Sequence, residues 1–488
     1  MTEDPKKLRK KILMLCTGGT IGMLPKDEND PESPLSPASW EKIKGHIKAL
    51  DELDFDVQVF EFEPLIDSSD MHPKWWIKIA QKIRDEYDSY DGFVILHGTD
   101  TMAYTASALS FLLEHLGKPV IVTGSQLPLA RARTDAAQNL VTSLMIAAAT
   151  DKIPMVPEVA ILFDKVLLRG NRARKVSSSG LAGFETPNIA PLAEIGEHIV
   201  VNEKLIRKIP EEGFYINETM EESVVVLDIF PGISPAILNS VFSVEKLKGV
   251  ILRTYGTGNA PTDEDFLSEI DTAINKRGLT VVNITQCNQG RIEMGLYDAS
   301  SALLRLGVIS GVDMTPEAAL VKLMFLIGMG YNKEDIKEQM QRSICGEQSF
   351  NVFNLLFDNG KTEGLIAKLS PKKLPAGYDK KKTIETATLR FDGLKVAEKE
   401  EEKDIAFSVF MNYPSADIET RTDIPQCLGI VSLKYEGSST EFTLRCTERV
   451  KQVISDPGRP VQVTVVSRKG EIKWTSVILS IYTDTESV

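Results

Sequence analysis

The stretch Tyr90-Asp91-Gly92-Phe93-Val94-Ile95-Leu96-His97-Gly98-Thr99-Asp100-Thr101-Met102-Ala103-Tyr104 decides how the rest of the chain is read. Phe93–Leu96 is a short, wholly apolar run of the kind that fills a parallel strand buried on both faces. Glycine and hydroxyl residues follow at once. A helical pattern comes next: after Asp100, Leu109, Leu112, Leu113 and Leu116 recur on one face. The same strand-then-polar-turn unit appears at Ile12–Leu15, Val57–Phe60, Val120–Val122 and Ala160–Phe163. A second helix is expected after Asp70, a candidate N-cap, because Trp76, Ile79, Ala80, Ile83 and Tyr87 fall at helical spacing. The pattern predicts a layered α/β protein with a parallel sheet and right-handed crossovers.

At 488 residues the chain is long enough for roughly two to four domains. Residues 1–200 read as the first α/β domain. The stretch 191–222 is mixed, contains Pro210 and Gly213, and lacks a strong period; a linker is expected at 201–222. A second, smaller α/β domain is expected at 223–355. Its strands would be Val224–Ile229, Val250–Leu252 and Thr280–Ile284, and its helices Pro316–Met329 and Lys333–Ser343. From 356 to 488 the character changes. Solvated charge runs (Lys380–Lys382, Glu398 to Lys403) precede alternating stretches at Ala406–Met411, Ile430–Tyr435, Val461–Val466 and Trp474–Ile481. These predict a small, mostly-β extension.

The net charge of −13 is unevenly spread: residues 1–360 carry 36 Lys and Arg against 50 Asp and Glu, and residues 361–488 carry 20 against 19. An acidic body argues against nucleic acid as a partner. No apolar run approaches the ~20 residues of a membrane span, so no membrane partner is expected. The apolar stretch Ile12 to Leu15 is too short for a signal-peptide core. Cys16, Cys287, Cys345, Cys427 and Cys446 are odd in number and lack C-x-x-C spacing, which points away from a disulfide framework or zinc site and towards the reducing cytoplasm.

Three strand ends pair glycine with hydroxyl residues: Cys16-Thr17-Gly18-Gly19-Thr20-Ile21-Gly22, His97-Gly98-Thr99-Asp100-Thr101 and Thr123-Gly124-Ser125. In open parallel sheets, ligands bind at such ends near a topological switch point. Glycine admits close backbone approach, and free N–H groups can stabilise an oxyanion. The same residues also serve as ordinary turns and caps. No G-x-x-x-x-G-K-[ST] or G-x-S-x-G motif occurs. His97, at a strand end, reads as structural, which leaves lysine as the available base. Lys175 ends Arg169-Gly170-Asn171-Arg172-Ala173-Arg174-Lys175, a cluster that taken alone reads as a solvated face.

Taken together, TGGTIGM at Thr17–Met23, DSSDM at Asp67–Met71, Tyr90–Phe111, GKPVIVTGSQ at Gly117–Gln126, RGNRARK at Arg169–Lys175, ILRTYGTGNAP at Ile251–Pro261 and TQCNQG at Thr285–Gly290 resemble the bacterial-type L-asparaginase family, most closely its cytosolic type I branch. The resemblance spans about residues 11–350 and implies a two-domain α/β amidohydrolase that needs no metal or organic cofactor. It implies that Thr20 attacks the side-chain amide of L-asparagine and forms an acyl-enzyme ester, which water cleaves. Lys175 would act as base through Thr99. Asp100 would orient Lys175 and accept the substrate ammonium. Ser68 and Ser69, with Asp67 in the same loop, would hold the substrate carboxylate. Asn259 resembles a substrate-proximal residue lent between subunits, which implies a homo-oligomer, commonly a dimer of dimers.

Two features depart from the family pattern. Members often carry a tyrosine in the lid after TGGT, whereas residues 21–86 contain none and the lid Leu24–Ser39 is rich in Pro, Asp and Glu. Tyr297 is the candidate substitute. Arg253 and Cys287 match an allosteric asparagine pocket, yet Arg174 stands where a type I pattern has threonine. The alternatives are a glutaminase or related amidase, or a catalytically weak sensor or scaffold on the same fold.

Overall fold

A computed structural model describes residues 9–485 apart from 26–32, 34, 38–39, 46, 130, 151, 295–297, 376, 380, 397–403, 435–439 and 455–459; the side chains of 20, 24–25, 35–37 and 298–301 are also left undescribed. Tyr297, Glu398 to Lys403 and most of the lid therefore lie outside the described residues.

The first sheet has eight strands. Asp56–Glu61, Lys11–Cys16, Gly92–Leu96, Val120–Thr123 and Val159–Phe163 run parallel in that spatial order. Val166–Arg169, Ala193–Ile195 and Ile199–Val201 continue it antiparallel. Part of the stretch read as linker is thus the sheet's edge. Alternation sorts the core. Phe93 and Ile95 face the helices Pro73–Glu86 and Met102–Leu112, and Val94 and Leu96 face the helix Ala136–Ala148. Because Lys11–Cys16 lies between the second and third strands of the chain, the order reverses between Lys11–Cys16 and Gly92–Leu96. The TGGT and HGTDT loops leave the sheet side by side at this switch point.

The expected cap at Asp70 is corrected. His72 caps Pro73–Glu86, while Asp70 belongs to the preceding 3₁₀ turn Ser68–Asp70. Thr101, not Asp100, is the N-cap of Met102–Leu112, and that helix stops at Leu112 because Leu113–Glu114 pairs with Tyr215–Ile216.

The second sheet is parallel: Val224–Asp228, Gly249–Thr254, Thr280–Thr285 and Ile309–Ser310. The helix Pro316–Gly328 joins the two domains, with Phe325 stacked on Phe111 at 5.8 Å between ring centroids. The β-rich region begins at Phe350–Phe357, ahead of residue 356, since this strand pairs along its length with Ser476–Asp484. Ser476–Asp484 pairs on its other side with Ile384–Val396. A second antiparallel sheet holds Ile366–Lys368, Val463–Ser467, Ile405–Met411 and Cys427–Leu433. The two sheets share one apolar core that includes Phe391, Phe407, Val465 and Leu479. Among the described residues, no helix is long and apolar enough to cross a membrane.

Candidate active site

The TGGT loop is held by backbone. Thr17 N–H and its hydroxyl both donate to the Leu96 carbonyl, at 3.1 and 2.8 Å, and Ile66 N–H donates to the Thr17 carbonyl at 2.7 Å. Gly18 and Gly19 adopt φ of +132° and +93°, a region costly for other residues. A Cβ on Gly19 would collide with the Gly98 backbone, and one on Gly98 would collide with the Ser68 side chain. Three sequence motifs therefore close on Gly98. Thr20 opens the 3₁₀ turn Thr20–Gly22 directly after Gly19, so its backbone leaves from this junction. Its side chain is outside the described residues.

Beside the junction, Lys175 Nζ donates to Thr99 Oγ1 at 2.8 Å and to Asp100 Oδ1 at 2.7 Å. Thr99 is buried; the Lys175 side chain is 19% exposed and that of Asp100 is 66% exposed. The bond across 76 positions forms because the strand Arg174–Lys175 brings the lysine back over the end of Gly92–Leu96. Asp100 makes no capping bond, so its carboxylate remains for Lys175 and for a ligand. Thr101 Oγ1 donates to the Ser68 carbonyl at 2.7 Å, tying the DSSD loop to the same turn. Within that loop Asp67 Oδ1 accepts from Ser69 N–H at 2.9 Å and from its hydroxyl at 2.8 Å, and these bonds, the backbone one first, hold the Asp67 carboxyl below its ordinary range.

The structure thus brings Ser68, Thr99, Asp100 and Lys175 together, with Asp67 and Ser69 on the adjoining loop. Asn259 lies elsewhere, on the Tyr255–Asn259 turn of the second domain, with its Oδ1 buried and unpartnered. Arg253 pairs with Asp228 at 3.0 Å, and Cys287 is exposed. Arg174 Nη1 donates to Asn288 at 2.8 Å, and Arg174 Nε stands 3.5 Å from Glu317. Burial raises the Glu317 carboxyl above its usual range, opposed by Arg174 and Arg253. These residues form a charged cluster between the domains, one residue from Lys175.

The solvated reading of the RGNRARK cluster is overturned for two of its arginines. Arg169 and Arg172 are buried, 3% and 2% exposed. Arg169 Nε donates to Glu158 at 2.7 Å, Arg172 Nη2 donates to Asp313 at 2.7 Å, and Arg172 Nη1 donates to the Glu347 carbonyl at 2.9 Å. Residues missed in the sequence also stand behind the site. Trp76 and Thr105 bond in a chain to His97, which neither the apolar spacing of Trp76 nor the lone hydroxyl of Thr105 signals.

Comparison with known proteins matches both α/β domains. The family model "Asparaginase, N-terminal" matches residues 11–207, and "Glutaminase/Asparaginase C-terminal domain" matches residues 223–340. The chain is 43% identical over 347 residues to L-asparaginase 1 of Escherichia coli, covering 70% of this chain and 98% of that protein. It is 44% identical over 293 residues to the human 60 kDa lysophospholipase, covering 60% of this chain and 50% of that one. The crystal structure of L-asparaginase I from Vibrio cholerae superposes with a TM-score of 0.63 at 41% identity, covering 70% of this chain and 99% of that one. Matching models over both α/β domains and near-complete coverage of the Escherichia coli relative make this chain a member of the asparaginase family.

Proposed function

We propose that the chain is an L-asparaginase that hydrolyses L-asparagine to L-aspartate and ammonia through a threonine nucleophile. The observation that carries this reading is the Lys175–Thr99–Asp100 cluster at the sheet's switch point. Thr20 Oγ bonds to the side-chain amide carbon, the C–N bond breaks, and ammonia leaves with the added proton. The resulting β-aspartyl ester is then attacked by water, and Thr20 recovers its proton. When the lysine amine is neutral, the bond seen here runs the other way: Thr99 O–H donates to Nζ, and the proton of the attacking species passes through Thr99 to the amine. Asp100 keeps one oxygen on Lys175 and offers the other to the substrate ammonium. Ser68 and Ser69 receive the carboxylate. Asn259, placed away from this cluster, is read as serving a neighbouring subunit of a homo-oligomer, with a dimer of dimers as the expected form. The five unpaired thiols fit a reducing cytoplasm.

Steady-state ammonia release from asparagine and from glutamine tests the proposal. The two substrates differ by one methylene, worth only about 1–3 kcal/mol of discrimination in a pocket. Thr20→Ala and Thr99→Ala should each abolish release; a Thr20→Ala protein that still turns over excludes the covalent route. Arg253 and Cys287 match a second asparagine site that would make the rate sigmoidal, while Arg174, facing Glu317, fills the position where the type I pattern has threonine and would alter or close that site. A hyperbolic curve, unchanged in Arg253→Ala, discards that site.

A further inference from the structure

We infer that Trp76, Thr105 and His97 form a one-way hydrogen-bond relay that fixes the Gly98–Thr99 peptide, which makes His97 a positioning residue for the reaction. This deepens the reading above and rests on it.

The relay crosses three elements. Trp76, on helix Pro73–Glu86, donates its indole N–H to Thr105 Oγ1 at 3.0 Å. Thr105, on helix Met102–Leu112, lies 2.8 Å from His97 Nε2. His97 Nδ1 lies 2.6 Å from the Gly98 carbonyl oxygen. Trp76, Thr105 and His97 are all buried. Donor and acceptor chemistry then fixes each proton. A carbonyl only accepts, so Nδ1 carries hydrogen. Burial keeps the ring neutral, so with hydrogen on Nδ1 its Nε2 accepts, and Thr105 Oγ1, which takes the indole N–H on one lone pair, gives its own hydrogen to Nε2. The imidazole is the neutral Nδ1–H tautomer, set by the bonds at its two nitrogens. The same burial lowers the His97 pKa from 6.5 to about 4.

The relay ends where accuracy matters. Gly98 is clasped by Gly19 on one side and Ser68 on the other. His97 N–H donates to the Thr123 carbonyl at 2.9 Å, and Gly124 has no room for a Cβ against the His97 carbonyl, so the backbone is pinned from the third strand end as well. With both flanks fixed, rotation of the Gly98–Thr99 peptide is the remaining freedom, and the Nδ1–H bond removes it. Thr99 Oγ1 is thereby held at its distance from Lys175.

Nitrogen NMR of the full chain labelled at histidine reads the tautomer without any activity. The expected result is a buried ring with hydrogen on Nδ1 that does not titrate between about pH 6 and about pH 8. Kinetics supply the second readout. His97→Leu should lower kcat about tenfold with KM within about twofold. His97→Asn, whose amide can still donate to the Gly98 carbonyl, should recover most of that loss. Trp76→Phe keeps a ring and deletes the N–H, and should lower kcat about threefold; it carries the kinetic test should the leucine variant not fold. An Nε2–H tautomer, a ring that titrates in that range, or equal kcat in the leucine and asparagine variants alongside an unaffected Trp76→Phe overturns the relay. Ammonia release by Thr99→Ala would instead sink the functional reading and leave the tautomer result standing.

Discussion

In the first sheet Gly19, Gly98 and Gly124 stand at the ends of parallel strands, and each meets another backbone or a buried side chain where a Cβ would sit. In the β-rich region Gly360 faces the Trp474 ring across an antiparallel pair, and Gly393, at φ +61°, sits in a bulge against Thr475. The first set draws three loops into one place and crowds Thr99, Asp100, Lys175 and Ser68 around it. The second set shapes a sheet. Its neighbouring cavity, about 560 Å³, is lined by Asp358, Lys361, Glu363, Lys368, Ser370 and Trp474. Parallel strands release all their ends on one side, so close approach there concentrates chemistry. An antiparallel sheet sends alternate ends apart, and close approach there only bends it.

Substitutions can break or sharpen that contrast. Lys175→Met should have the largest effect, lowering kcat about 10³-fold or more while leaving the unfolding midpoint nearly unchanged. A large shift in urea denaturation would mean the lysine is structural. Arg172→Leu, three residues earlier in the chain, tests a different role. It strands the buried Asp313 carboxylate and should cost about 3–5 kcal/mol in urea unfolding, with kcat of the folded fraction retained.

Acid should act through His97. Its folded pKa of about 4 lies below the ordinary 6.5, so the unfolded chain takes up the proton first. Stability is then full above about pH 6.5 and falls as pH drops towards about 4, by about 3 kcal/mol at most. His97→Asn should flatten that part of the urea-midpoint profile; an unchanged slope would assign it to other groups. The smallest effect is expected across the domain contact. The Arg291 guanidinium lies 4.5 Å from the Phe350 ring centroid and donates to Thr386 at 3.0 Å. Arg291→Ala should weaken attachment of the β-rich region by about 1 kcal/mol, seen as earlier unfolding of that region, with kcat changed less than about twofold. A large kcat loss would tie the region to catalysis.

The five parallel strands of the first sheet are plain in the sequence because most are unbroken apolar runs, Gly92–Leu96 being buried at every position, whereas the short antiparallel strands Val166–Arg169, Ala193–Ile195 and Ile199–Val201 are not. Phe350–Phe357 and Ile384–Val396 passed unnoticed. The first interleaves Asn351 and Asn354 with its apolar residues, and the second carries Glu385, Arg390 and a glycine bulge, so neither shows a clean alternation. Thr475 likewise splits one expected strand into Ile472–Trp474 and Ser476–Asp484. In the site, HGTDT and the lysine were legible as motifs. The burial of Arg169 and Arg172 was not, since the Asp313 partner of Arg172 lies 141 positions away and local charge density looks the same whether paired or solvated. Asp100 was readable either as a cap or as a site acid, and only the cap geometry at Thr101 separates the two.

The place of Ser476–Asp484, between Phe350–Phe357 and Ile384–Val396, has a consequence for biosynthesis. On the ribosome both flanking strands emerge well before the one that belongs in the middle. Until that last segment is made, each of them offers an open edge to any passing polypeptide. The two α/β domains carry their own strands ahead of this point and are free to fold first, leaving a nascent chain whose catalytic half matures while its final sheet still waits for a keystone.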